Sequence, residues 1–243
     1  QKPAFLAYRE GRSVKSPRVM TYGQLRTKVR ALAEYLRDVR GIRPGDTVAG
    51  YMPDTPEAYI AALASTAVGA VYASCSPDFG EKGVVDRFGQ VAPRVLFTVP
   101  RYQYKGKDIR LQERVTSLLA KDAMASVESV ILFEYDPDEP EMAAKDWGPR
   151  ATNASEIMLD YEYAGKLRYE QVGFDHPVYT MFSSGTTGLP KCMQQGCGVL
   201  LTHLKEHCLH HNISSRDVYF QYTTTGWMMW NYKLSALATG ATL

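Results

Sequence analysis

With 243 residues, 45% of them hydrophobic and 22% charged, the chain has the composition of a globular protein long enough for one large domain or two small ones. Lysine and arginine number 28 against 26 aspartates and glutamates, a net charge of +2 that excludes recognition of nucleic acid or an acidic membrane surface by bulk charge. No apolar run approaches a membrane span. The four cysteines (Cys75, Cys192, Cys197 and Cys208) form no CxxC pair, so the chain reads as cytoplasmic, with reduced thiols and neither a zinc knuckle nor a thioredoxin-type motif. Gln1 is not an initiator and Ala241-Thr242-Leu243 opens what reads as a strand, so the sequence is expected to be a piece of something longer.

Leu25, Val29, Leu32 and Leu36 recur at three- and four-residue steps and predict a helix over about 21–39, with Thr21 and Gln24 as its capping box. The turn Arg43-Pro44-Gly45-Asp46 leads to a strand over 47–52. Asp54-Thr55-Pro56-Glu57 carries a cap, an early proline and an acidic first turn, and starts an alanine-rich helix that runs to about Gly69. The alternation continues with a strand over 71–75, a helix from Asp78 to Gly89 or Pro93, a strand over 95–99, a helix over 111–120 and a strand over 129–133. Short strands apolar on both faces and separated by helices predict an α/β fold, with a mostly parallel sheet flanked by helices. From 134 to about 155 the pattern lapses into Pro, Asp and Glu, a candidate subdomain boundary. A helical stretch near Glu156, a strand over 178–182, a helix over 200–210, a strand over 218–222 and a helix over 227–238 complete the expectation.

The strand over 178–182 runs into Ser183-Ser184-Gly185-Thr186-Thr187-Gly188-Leu189-Pro190-Lys191. Two glycines free the backbone so that several N–H groups can converge on an anion, four hydroxyls can donate to phosphate oxygens, and Lys191 adds a full positive charge. It is not a Walker A loop, because proline precedes the lysine and cysteine follows it. On composition alone a surface Gly/Ser turn with an incidental lysine is an equal reading.

The nine residues closely resemble the phosphate loop of the adenylate-forming superfamily, which contains acyl-CoA synthetases, luciferases and peptide-synthetase adenylation domains. Within it the likeness is greatest to the acetoacetyl-CoA synthetases. It is carried by residues 48–53 (VAGYMP), 74–80 (SCSPDFG), 86–90 (DRFGQ), 181–191, 203–207 (HLKEH) and 226–231 (GWMMWN), over nearly the whole chain. The resemblance implies part of an AMP-binding N-terminal domain, with the loop flanked by a strand before and a helix after. It implies ATP, Mg²⁺ and coenzyme A, the acid being activated as an acyl-adenylate before transfer to the thiol. Ser183, Ser184, Gly185, Thr186, Thr187, Gly188 and Lys191 would hold the ATP phosphates. Trp227, Met228 and Met229 would line the acyl pocket, where the residues alone suggest only a core-facing helix start. Tyr104, Lys105 and Lys107 would meet the 3′-phosphate of coenzyme A, the alternative being a solvated charged loop.

The partners so implied are small molecules, with acetoacetate, or another short acid, as the carboxylate. No catalytic residue is expected inside the chain. The adenine-contacting segment, the ribose aspartate, the hinge, the adenylate-forming lysine and the mobile C-terminal domain would lie beyond Leu243, so the 243 residues alone are expected to have no turnover. After Lys191 the superfamily has a histidine and a glycine pair where this chain has 193–198 (MQQGCG), apparently one residue shorter. That departure leaves open an inactive nucleotide-binding piece. His203 and His207 share a helix face, but HLKEH is not HExxH, and no metal site is expected there.

Overall fold

The computed structural model describes residues 2–135, 144–161, 165–183 and 188–243. The chain opens with a hairpin that sequence periodicity does not reveal. Strands β1 (Pro3–Ala7) and β2 (Arg18–Thr21) pair antiparallel, with the buried Phe5 opposite the buried Met20. Helix α1 (Tyr22–Asp38) follows directly. Thr21 Oγ1 accepts from the Gln24 N–H at 3.2 Å and the Gln24 side chain accepts from the Thr21 N–H at 2.8 Å, the reciprocal box the sequence announces. Leu25, Val29, Leu32 and Leu36 are all buried along one face.

The central alternation then builds as expected in β3 (Thr47–Tyr51), α2 (Pro56–Ala67), β4 (Val71–Cys75), α3 (Glu81–Val91), β5 (Val95–Thr98), α4 (Gln112–Leu119), β8 (Ser129–Leu132) and α5 (Ala154–Asp160), to which the structure adds three strands that were not expected, the hairpin of β6 (Arg101–Tyr104) and β7 (Lys107–Arg110) and the short β9 (Ala151–Asn153). The last part is β10 (Pro177–Phe182), β11 (Cys192–Gly196), α6 (Gly198–Lys205), which continues as a π-helical turn over Glu206–His210, and α7 (Met228–Ser235). Seven strands make one sheet in the order β11-β10-β4-β3-β5-β8-β9, and every neighbouring pair is parallel except β10 with β11. All residues of β4, β5 and β8 are buried, as a sheet covered on both faces requires. The alanines of α2 suit its place against β3 and β4 with α1 on its other side, because short side chains let three layers approach.

Three sequence expectations are corrected. The helix expected directly after the phosphate loop is preceded by β11, an antiparallel edge strand. Its exposed Cys192, Met193 and Gln194 lack the apolar alternation that marks a strand. The strand expected over 218–222 is reduced to one parallel bridge between Val218 and Thr242; Phe220 and Tyr222 are each 82% exposed, and their aromatic character gives a false strand signal. The helix expected over 227–238 shortens to α7 and ends in a 3-10 turn over Ala236–Thr239. The charged loop around Lys105 is exposed, in keeping with the solvated-loop alternative, and forms the tip of the β6–β7 hairpin. Around the candidate boundary, residues 136–143 lie outside the described residues, while β8 and β9 on either side pair directly. No helix among the described residues is long and apolar enough to cross a membrane.

The middle of the sheet contains a contact only glycine permits. A Cβ on Gly50 would stand 2.1 Å from the Tyr72 hydroxyl and 3.0 Å from its Cζ. Tyr72 is buried, its hydroxyl has no hydrogen-bond partner, and burial pushes its pKa up. Gly50→Ala is expected to destabilise by about 1–3 kcal/mol through overpacking. Tyr72→Phe alone should be near neutral or stabilising, because it removes an unpaired buried hydroxyl. Combined, the two should cost less than their sum in a denaturant-unfolding cycle; strict additivity would show that the ring, not the hydroxyl, sets the clash.

Candidate active site

Strand β10 enters the glycine-rich segment and β11 leaves it, so the segment is the tip of an edge hairpin. Phe182 pairs with Cys192 and Met181 with Met193, and the Ser183 N–H donates to the Lys191 carbonyl at 3.0 Å. Ser184, Gly185, Thr186 and Thr187 lie outside the described residues. Of the other predicted phosphate ligands, Ser183 is half-buried at the end of β10, whereas Gly188 and Lys191 are exposed. The exit of the loop is tied back to α3, where Gln90 Nε2 donates to the Pro190 carbonyl at 2.9 Å. The atypical run after Lys191 continues the ladder, Thr180 opposite Gln194 and Tyr179 opposite Gln195, before the register shifts and Gly196 falls opposite Pro177. Past it, Gly198 is pressed onto the Phe174 ring, which an added Cβ would approach to 2.3 Å.

Beside the base of that hairpin, at the C-terminal ends of β4 and β10, lies a cavity of about 220 Å³. Ser74, Met181, Ser183, Trp227, Met228 and Asn231 are among its walls. It brings the first residue of the phosphate loop and two of the three predicted acyl-pocket residues to one space. Met229 is half-buried and does not line it. The segment that carries Trp227 is held by the ends of β3 and β4: Ser74 Oγ donates to the Thr225 carbonyl at 2.6 Å, and Thr225 Oγ1 donates to the Met52 carbonyl at 2.7 Å. A Cβ on Gly226 would fall 2.3 Å from Phe79 Cε2 and 3.2 Å from the Ser76 nitrogen, so this approach demands glycine. Phe79 in turn meets Trp227, ring centroids 6.4 Å apart. Trp227 and Met228 remain 55% and 47% exposed.

Helix α7 is anchored from beneath. Asp54 Oδ1 accepts from Trp230 Nε1 and from the Tyr59 hydroxyl, both at 2.9 Å, and Asp54 Oδ2 pairs with Lys233. On its other flank, His207 Nε2 donates to the Tyr232 carbonyl at 3.0 Å, and the Ser235 hydroxyl lies 3.2 Å from His203 Nδ1. Both histidines are buried, and desolvation is the leading cause that lowers their pKa values. They pack α6 on α7.

Tyr104, Lys105 and Lys107 sit together at the tip of the β6–β7 hairpin. Its two turn residues, Lys105 at φ 51° and Gly106 at φ 71°, have the left-handed backbone of a tight hairpin turn. Both turn amides donate to the Glu10 carboxylate, Lys105 N–H at 3.0 Å and Gly106 N–H at 2.7 Å, which holds the Glu10 carboxyl below its ordinary range. The anion-binding backbone of this turn is thus already engaged, and the lysine side chains are its outward-facing cations.

Several residues of the site carry no individual role in the sequence reading, among them Asn231, Phe79, Gln90 and Thr180. Asn231, Phe79 and Gln90 lie inside the motifs that carry the family likeness, so proximity to those motifs is the signal that marks them. Thr180 has none; an alternating strand residue shows no sign of which face meets a cavity.

The AMP-binding enzyme family model matches residues 1–243. The chain is 40% identical over 250 residues to acetoacetyl-CoA synthetase of Rattus norvegicus, covering 99% of this chain and 35% of that protein. It is 42% identical over 225 residues to acetoacetyl-coenzyme A synthetase of Rhizobium meliloti (strain 1021), covering 92% and 33%. The structure matches that of acetoacetyl-CoA synthetase from Streptomyces lividans with a TM-score of 0.87 and 41% identity, covering 99% of this chain and 35% of that one. The chain spans about a third of the length of these relatives.

The buried histidines make the support of α7 sensitive to pH. Their folded pKa values lie below the ordinary value of 6.5, so the unfolded chain binds more protons as the pH falls. The stability they contribute is complete above 6.5 and is lost as the pH drops through the lower folded values. The melting temperature is expected to fall on going from pH 7.5 to 5.5, and less steeply for His207→Gln. A slope identical in wild type and variant would assign the effect to other groups.

Proposed function

This chain belongs to the AMP-binding enzyme family, and from that premise we propose that the protein carrying it activates a short carboxylic acid, acetoacetate, with ATP and passes the acyl group to coenzyme A. The observation that carries this reading is the shared cavity, which has the entry of the phosphate loop at Ser183 on one wall and Trp227 and Met228 on another. A carboxylate held there has its oxygen beside the loop that would grip a nucleotide's phosphates. In the first half-reaction that oxygen attacks the α-phosphorus, the bond to pyrophosphate breaks, and an acyl-adenylate forms. In the second, the thiol of coenzyme A attacks the acyl carbon and AMP leaves with its bonding pair.

Both reacting groups of the first step are anionic, so positioning and charge neutralisation dominate its barrier. Ser183 to Lys191 would wrap the leaving phosphates, with Thr186 and Thr187 donating hydroxyls and Lys191 its charge. Indole and thioether walls suit a small, mostly apolar chain. Mg²⁺ offsets phosphate charge when bound. Among the described residues no group of three or more His, Cys, Asp and Glu side chains comes together. Lys105 and Lys107, with Tyr104, would receive the 3′-phosphate of coenzyme A. The four unpaired cysteines fit a cytoplasmic setting.

Acid-dependent ATP–pyrophosphate exchange on the full-length protein, with acetoacetate, acetate, propionate and butyrate, tests the reading. Exchange greatest with acetoacetate is the expected result. Exchange led by another acid would retain the chemistry and reject the substrate; ATP binding with no exchange would mean an inactive nucleotide-binding protein.

Lys105→Ala with Lys107→Ala is expected to raise KM for coenzyme A by about five-fold or more, the scale of an exposed charge contact, and to leave pyrophosphate exchange unmoved. Equal KM values in thioester formation would reject the hairpin as a contact.

A further inference from the structure

Phe79 is clamped behind the cavity that the base of the phosphate loop shares with α7. The edge of its ring lies under Gly226, where an added Cβ would stand 2.3 Å from Cε2 and 3.0 Å from Cζ. The Arg87 guanidinium sits over the ring, its Cζ 4.3 Å from the centroid. The ring also meets the indole of Trp227, at 6.4 Å between centroids. Of the three side chains only Trp227 lines the cavity, so Phe79 and Arg87 act on it from behind.

The backbone and the side chain of Phe79 are held by different groups. The Tyr51 hydroxyl donates to the Phe79 carbonyl at 3.0 Å. Arg114 Nη1 donates to the Tyr51 hydroxyl at 3.0 Å and to the Pro77 carbonyl at 2.9 Å. The Phe79 N–H donates to the Ser76 carbonyl at 3.0 Å. The turn that carries Phe79 is thus fixed without Arg87. Arg87 stands on α3, where its Nη1 donates to the Gly83 carbonyl at 2.8 Å, which turns the guanidinium back along the helix toward Phe79. A cation over an aromatic ring is attracted by the ring quadrupole, and that attraction favours one setting of the ring.

We propose that Arg87 is a positioning residue for the acid: by fixing the Phe79 ring it sets the place of the Trp227 wall, and so the longest acyl chain the cavity accepts. This rests on the activation reading above and adds to it a limit on chain length and the pair of residues that imposes it. The Trp227 side chain, 55% exposed, has room to swing, and its contact with Phe79 is the stop. With the ring free to turn, the indole falls back and the cavity lengthens.

The test measures acid-dependent ATP–pyrophosphate exchange by the full-length protein with acetoacetate, butyrate and hexanoate. Arg87→Gln removes the cation at a half-buried position, Arg87→Lys keeps it, and Phe79→Leu removes the ring. Arg87→Gln and Phe79→Leu are each expected to raise the hexanoate-to-butyrate ratio of kcat/KM by about fivefold, the scale of a partly desolvated cation–π contact. In Arg87→Lys the ratio is expected to stay within about twofold of wild type, because the cation remains. Loss of folded enzyme lowers kcat/KM for every acid alike, so the ratio separates positioning from stability. A ratio unmoved in both Arg87→Gln and Phe79→Leu overturns the proposal, as does a wild-type enzyme that takes hexanoate as readily as butyrate. If only one of these two variants folds, it decides; if neither folds, the contact is structural and the proposal fails. Absence of exchange with every acid in the wild type instead removes the activation reading, and this inference with it.

Discussion

The close docking of the segment 225–231 onto the C-terminal ends of β3 and β4 is the constraint on which the site depends. Gly226 lies so near Phe79 and the Ser76 backbone that no side chain fits, and that contact sets how far Trp227 and Met228 stand from β10. Thr225 is bonded on both sides, through its carbonyl to Ser74 and through its hydroxyl to Met52. Trp230, completely buried, then nails the first turn of α7 to Asp54. An indole of this size removes on the order of 150–250 Å² from water, worth several kcal/mol. The cavity wall is therefore rigid on the side of α7, and what it admits is decided by side chains rather than by movement of the helix.

The opposite wall is made differently. Strand β10 continues the parallel sheet beside β4, but β11 turns back antiparallel and ends the sheet, so the two strands that lead into and out of the glycine-rich segment lie at an edge and not in the interior. That arrangement reconciles two needs. An anion-binding loop must present free backbone amides and a solvated lysine, which a buried loop could not afford. Its base must nonetheless be fixed, and the ladder from Phe182–Cys192 inward, with the Gln90 bond to Pro190, fixes it.

How much of this was legible in the sequence follows from the range of the forces involved. Helix α1 could be read because its capping box and its apolar stripe are local and agree, and both appear as expected. Strands β4, β5 and β8 could be read because burial on two faces leaves an unbroken apolar run, whereas the half-buried three-residue β9 leaves none. Strand β11 could not, since its pairing depends on β10 and its own residues are polar and exposed. The β1–β2 hairpin failed for the related reason that its strands are separated by the intervening residues 8–17. The acyl wall divides the same way. Trp227 and Met228 were reachable by family likeness, whereas Thr180 faces the cavity only because β10 lies between β4 and β11, a fact about partners far away in the chain.

The charge balance of the whole chain makes the local arrangement more telling. A net charge of +2 provides no long-range field for drawing in a polyanion, so selectivity for one must arise where donors converge. Two such places stand out on this chain, and they are unlike. At the β6–β7 tip the turn amides are already taken by Glu10, so an incoming phosphate would meet only the exposed lysine ammonium groups, with little geometric demand. At the β10–β11 tip the backbone, hydroxyls and lysine come from a single nine-residue connection braced by a ladder. Loose attraction suits a remote group that need only be tethered. Convergence on a braced loop suits phosphates whose position relative to an attacking carboxylate sets the rate, where misplacement by an ångström is costly. On the proposed reading, the contrast in backbone, more than any count of charges, would separate a tethering contact from the reacting one.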